Sequence, residues 1–168
     1  VTPDIIMPDR FDYLKFREKD NPASLKWDEI PHAEYDLVYP KNYFDNIVAN
    51  TNEEVKQSTV FNAIKSSVNW LDKYNNKDYA LNISKYKAEQ KQLKETFKSL
   101  DTLVKLKNPI AIVNLNSDTA KINSTEDKIE KNKQWIKVRS SDVYIDESIK
   151  VLDRMILKNG LTSSEAKL

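Results

Sequence analysis

Hydrophobic and polar positions along the chain fall mostly into helical stripes. Val60, Phe61, Ile64, Val68 and Leu71 recur at helical spacing, so this stretch predicts an amphipathic helix that "NNKD" at 75–78 stops. Upstream, Tyr43, Phe44, Ile47 and Val48 share one helical face in a region opened by Pro40. "TNEE" at 51–54 has the form of a capping box, which either starts a new helix or sits within the first. Downstream, Tyr86, Leu93, Phe97, Leu100 and Val104 form a heptad-like seam with Gln90 in one core slot. Three heptads are too few to require a coiled-coil partner, and a helix packed along a bundle is the simpler expectation. Asn82 or Ser84 caps its start, and Pro109 ends it. A last helix begins near Ser141 or Asp142, carries Ile145, Ile149, Leu152 and Ile156 at helical spacing, and closes at "KNGL", where Gly160 supplies the left-handed residue.

Elsewhere the pattern changes. "VTPDIIMPD" places the apolar run Ile5–Met7 between prolines, which reads as a short strand or extended segment. "RFDYLKF" alternates apolar and polar residues. Residues 19–40 are punctuated by proline and read as an extended strap. "IAIVNL" (110–115) is β-prone, and "QWIKV" (134–138) alternates. The polar stretch between them reads as a mobile loop, leaving open a small β-hairpin across it. The expected fold is therefore mainly α: a helical bundle with a short N-terminal strand or extended strap, and room for one hairpin.

Composition narrows the chemistry. Cysteine is absent, which removes disulfides, thiolate metal sites and a cysteine nucleophile. One glycine, Gly160, cannot build a phosphate-cradling loop or a dinucleotide fingerprint. With 27 basic and 26 acidic residues the net charge is +1, so no strong field draws the domain onto nucleic acid or anionic lipid. No apolar run reaches the about 18 residues of a membrane span. The chain opens on Val1 without a leader, which sets the expectation of a piece excised from a longer protein.

Candidate chemistry is sparse. Ser-x-x-Lys occurs as Ser84/Lys87 and Ser164/Lys167; a desolvated lysine can activate a serine one turn away, but a helix start and a chain tail explain these residues without catalysis. Asp142, Asp146 and Glu147 could offer oxygen ligands to a cation, yet acids at a helix start already complement its dipole. His32, the only histidine, reads as an ordinary surface or hydrogen-bonded residue rather than a ligand or pH switch. Trp27, Trp70 and Trp135 could stack bases beside lysines, but the balancing acids argue against nucleic acid. The sequons at Asn82 and Asn123 matter only in a secreted eukaryotic protein. No cofactor, metal or catalytic residue is expected.

Three stretches in order carry a resemblance. "VTPDIIMPD" resembles the late core strand of the carboxy-terminal processing, or tail-specific, serine proteases. "ASLKWDEIPHAEY" resembles the segment that follows in their long bacterial branch, with Lys26 where proline is usual. "SSDVYIDESIKVLDRMI" resembles a helix near their end, with Val143 where proline is common. "ALNISKYKAEQKQ" falls where the family has a strand leading into a charged helix, and the stretch 105–135 departs from the pattern.

The resemblance implies a domain layout. Residues 1–18 would end the protease core, 19–40 would be the strap, 41–161 a C-terminal helical accessory domain, and 162–168 a flexible tail. Both catalytic residues, a serine nucleophile and a lysine base, would precede this chain. The parent would be a periplasmic endopeptidase that takes proteins by their apolar C-termini. Partners would be the protease core and PDZ domain of the same chain, unfolded substrate, and a lipoprotein adaptor. Trp27 and Asp28 would anchor the strap. A free-standing helical interaction module with no protease attached is the alternative.

Overall fold

The computed structural model describes residues 3–26, 31, 33–75, 77–79 and 81–160. Trp27, Asp28 and His32, much of the centre of the expected strap, and the tail 162–168 lie outside the described residues. The fold is a helical bundle of six α-helices among the described residues: α1 (Asp45–Gln57), α2 (Thr59–Asn75), α3 (Ile83–Leu103), α4 (Thr119–Ile122), α5 (Glu126–Arg139) and α6 (Val143–Lys158). Chain contacts divide it into two compact units, Val1–Leu93 and Lys94–Leu168.

In the first unit α1 packs against α2. Ser58 alone separates them. Its N–H donates to the Glu54 carbonyl at 2.8 Å, its carbonyl accepts from the Asn62 N–H at 3.0 Å, and its Oγ accepts from the Phe61 N–H at 3.4 Å. One residue thus ends one helix and starts the next. Four of the five residues of the stripe read from sequence, Phe61, Ile64, Val68 and Leu71, are buried with Tyr74 of the same helix and Thr51 and Val55 of α1, while Val60 is half-buried. Thr51 lies inside α1, so "TNEE" starts no helix; its threonine is fully buried instead of capping.

In the N-terminal segment one of the two alternatives read from sequence, the strand, fails. Ile5–Met7 forms no strand, because no other described segment offers it a ladder. It is tied to α1 by the Asn52 side chain, which donates to the Asp4 carbonyl at 2.9 Å. The alternation of "RFDYLKF" is not that of a strand either. Asp9 folds the chain into turns by accepting from the Phe11 N–H at 3.0 Å, and the Leu14 N–H reaches the Phe11 carbonyl at 2.9 Å. Within the strap region, Glu18–Asp20 is a 3-10 turn. Before α1, Asn42 takes a left-handed φ of 69°, a conformation asparagine tolerates, and Tyr39, Tyr43 and Phe44 pack ring to ring at 4.9–5.3 Å.

Asn82 is the cap of α3: its Oδ1 accepts from the Ser84 and Lys85 N–H groups at 3.0 and 3.1 Å. Of the predicted seam only Leu100 is buried; Tyr86 and Phe97 are exposed. The helix ends at Leu103, six residues before Pro109.

The second unit overturns the loop and the hairpin. Most of 116–139 is helical: a 3-10 turn at Asn116–Asp118, then α4, then α5. "QWIKV" lies within α5, so "IAIVNL" has no strand to pair with. The helix wins because its ends and turns are supported. Thr125 Oγ1 accepts from the Lys128 N–H at 3.3 Å, Glu126 and Asp127 sit in the first turn, and Lys137 and Arg139 sit in the last. Lys131 bonds Asp127 one turn away at 2.7 Å.

What pairing exists is brief. Lys105 and Asp142 form an isolated antiparallel bridge. Around it the Val143 N–H donates to the Val104 carbonyl at 3.2 Å, the Leu106 N–H to Ser141 at 2.6 Å, and the Ile110 N–H to Ser140 at 2.8 Å. The chain after α3 therefore clasps the junction between α5 and α6. α6 begins as read, capped by Asp142, whose Oδ1 accepts from the Tyr144 and Ile145 N–H groups at 2.9 and 3.4 Å. Gly160 follows its end with φ 69°.

The Val143 N–H is in use, unlike most N–H groups at a first helical position. Proline at a first helical position lowers unfolded-chain entropy, but it has no N–H to give Val104. Val143→Pro is expected to destabilise the second unit by about 1 kcal/mol net, the orphaned carbonyl outweighing the entropic gain. Hydrogen exchange of the Leu106 and Ile110 amides measures it.

Candidate functional site

The residues that sequence singled out for chemistry do not converge. Ser84 lies in the exposed first turn of α3, and its N–H is used by the Asn82 cap. Ser164 and Lys167 lie outside the described residues. Asp142 caps α6 and meets Arg139 at 3.4 Å, while Asp146 and Glu147 both bind Lys150, at 2.9 and 3.2 Å. Lys150 is raised above its ordinary value, first by its hydrogen bond to Asp146. These acids are thus engaged by protein cations, and no metal-sized cluster of histidine, cysteine or acids exists among the described residues. Trp70 stacks on Tyr74 in α2, centroids 5.2 Å apart, whereas Trp135 on α5 is 53% exposed.

The densest polar cluster surrounds Tyr74, at the end of α2. Its hydroxyl accepts from Gln90 Nε2 of α3 at 3.2 Å. Lys77 lies 4.4 Å over its ring and pairs with Glu89 at 3.1 Å, and Tyr79 meets the ring edge-on. These contacts fasten the α2–α3 connection. Burial, then the neighbouring Tyr79, pushes the Tyr74 phenol above its ordinary 10.0, against the pull of Lys77. A raised phenol means the fold favours the neutral form. Its contribution to stability is whole below the unfolded value of 10.0 and is lost as pH climbs from there through the folded value. Denaturant unfolding across this alkaline window is expected to show a loss that Tyr74→Phe reduces.

Among the described residues, the concave surfaces of the first unit include the following two. One, of about 490 Å³, lies between Ile6–Pro8 and the α2 residues Lys65, Val68 and Asn69, crossed by an exposed Lys15–Asp72 pair at 3.8 Å. Its walls mix both charges with the apolar Ile6, Met7, Pro8 and Val68. The other, of about 400 Å³, is lined by Ala33, Glu34, Tyr35, Leu37 and Lys41. Sequence reading treated these residues as strap and assigned them no role. The alternation of "AEYDL" was the available signal. Apolar side chains also stand exposed elsewhere: Leu81 and Ile83 before and at the start of α3, Trp135 and Val138 on α5, Leu152 and Leu157 on α6. No described helix is long and apolar enough to cross a membrane.

A family model described as the C-terminal domain of tail specific protease (DUF3340) matches residues 11–157. The chain belongs to this family. No curated protein and no solved structure matches it significantly.

Proposed function

We propose that this chain is the non-catalytic helical accessory domain of a periplasmic Ser-Lys endopeptidase that degrades or processes proteins from apolar C-termini. The family match over 11–157 carries the reading and favours it over a free-standing interaction module. The nucleophile and base lie in the protease core of the same parent chain, beside its PDZ domain. Here the helices shape access to the proteolytic chamber, and their exposed apolar side chains meet unfolded substrate or a lipoprotein adaptor. Trp27 and Asp28 anchor the strap that joins core and helices.

The test compares the intact protease with a form lacking 41–161. Hydrolysis of short peptides is expected to persist, while degradation of an unfolded protein falls sharply. Equal loss of both, or of neither, counts against the accessory role.

A further inference from the structure

Lys87, Lys91, Lys94 and Lys98 follow one another at intervals of four, three and four residues, so they stand in a row along one side of α3. The row covers about 16 Å of this single helix. All four lysines are exposed, whereas the half-buried Glu89, Leu93 and Thr96 and the buried Leu100 occupy the opposite side. None of the four forms an ion pair among the described residues. Other helices pair lysines with acids about one turn away, as Lys56 with Glu53, Lys131 with Asp127 and Lys150 with Asp146. Glu95 and Asp101 flank the later half of the row, so its excess of positive charge is greatest around Lys87 and Lys91. Ile83 and Phe97, 63% and 39% exposed, border it two heptads apart.

We propose that this row docks an acidic amphipathic helix of a partner protein, whose carboxylates recur at the same spacing of four, three and four residues. Like charges one turn apart repel, and a facing row of carboxylates relieves that repulsion while adding attraction of its own. A helix is the matching shape. Its carboxylates advance along the axis by the same rise as these lysines and meet all four together. Apolar side chains of the partner lie against Ile83 and Phe97, and the lysines beside them set its register, as charges flanking a helical seam do. A lipid surface is disfavoured. Without these four lysines the 27 basic residues no longer outnumber the 26 acidic ones, so anionic headgroups repel the rest of the chain. The proposal rests on the accessory-domain reading and adds to it the charge and shape of the partner.

The probe is a fluorescent, alanine-rich helical peptide of about three heptads. It carries four glutamates at that spacing and leucines beside them, two heptads apart. Binding to the intact protein is followed by anisotropy. Lys87→Glu with Lys94→Glu is expected to weaken binding roughly tenfold. Lys87→Gln with Lys94→Gln keeps good helix formers and is expected to weaken it about threefold. A peptide of identical composition, its glutamates shuffled off one face, is expected to bind roughly tenfold more weakly to the unaltered protein. Rising salt should weaken the aligned peptide most. Four outcomes overturn the proposal: no binding, equal binding of aligned and shuffled peptides, indifference to charge reversal, or a row that holds phosphatidylglycerol vesicles but not the peptide. Should the peptide dock as expected while removal of 41–161 spares protein degradation, the accessory role fails and the row stands. Should that removal block degradation while charge reversal leaves peptide binding unchanged, the row alone fails.

Discussion

Leu71→Ala is expected to lower the unfolding free energy of the first unit by about 3 kcal/mol, within the range for buried leucines. Leu71 has 0% exposure and sits in the middle of the α2 stripe, between Val68 and Tyr74. Truncation loses the transfer energy of the removed carbons and leaves a cavity. The walls cannot close easily, because α1 and α2 are joined through the single residue Ser58. Leu71→Met keeps most of the volume and should cost less than about 1.5 kcal/mol. Denaturant unfolding of the two variants side by side decides this. Similar losses would mean that the α1–α2 pair is not the stable core of its unit.

Leu100→Ala is the second large effect, also about 3 kcal/mol, and its reach differs. Leu100 is 2% exposed and is the only residue of Lys94–Leu168 that is fully buried among the described residues. Stability elsewhere in that unit comes from half-buried contacts, helix caps and the backbone clasp at Val104–Ile110. Hydrogen exchange should therefore show α5 and α6 losing protection together, while α2 keeps its own. A loss of protection confined to the turns of α3 next to Leu100 would show that the unit does not depend on this side chain.

The elements legible in sequence were those with a buried stripe or a marked end. α2 displayed its core at helical spacing, Asn82 marked the start of α3, and Asp142 with Gly160 bracketed α6. α5 was hidden because its local order imitates a strand: Trp135, Ile136 and Val138 place apolar residues on several sides of the helix, and only Ile129 and Ile136 among its apolar residues are partly covered. Its end signals were visible, in Thr125 before two acids and in Lys137 and Arg139 at the close. The seam of α3 was over-read for the opposite reason. Its period is helical, yet Tyr86 and Phe97 remain exposed, and periodicity alone does not say how much of a stripe finds a partner. The candidate groove was missed because "AEYDL" carries no chemistry by itself.

The clasp between 104–110 and 140–143 has an evolutionary corollary. Three of its links join main-chain atoms, so the excursion leaves and returns through fixed points that almost any side chain could satisfy. Lengthening a flexible excursion is cheap, about 0.6 kcal/mol for each doubling. The 111–139 stretch is thus free to acquire extra turns, or shed them, while the anchoring stays put, and relatives should differ in length there first.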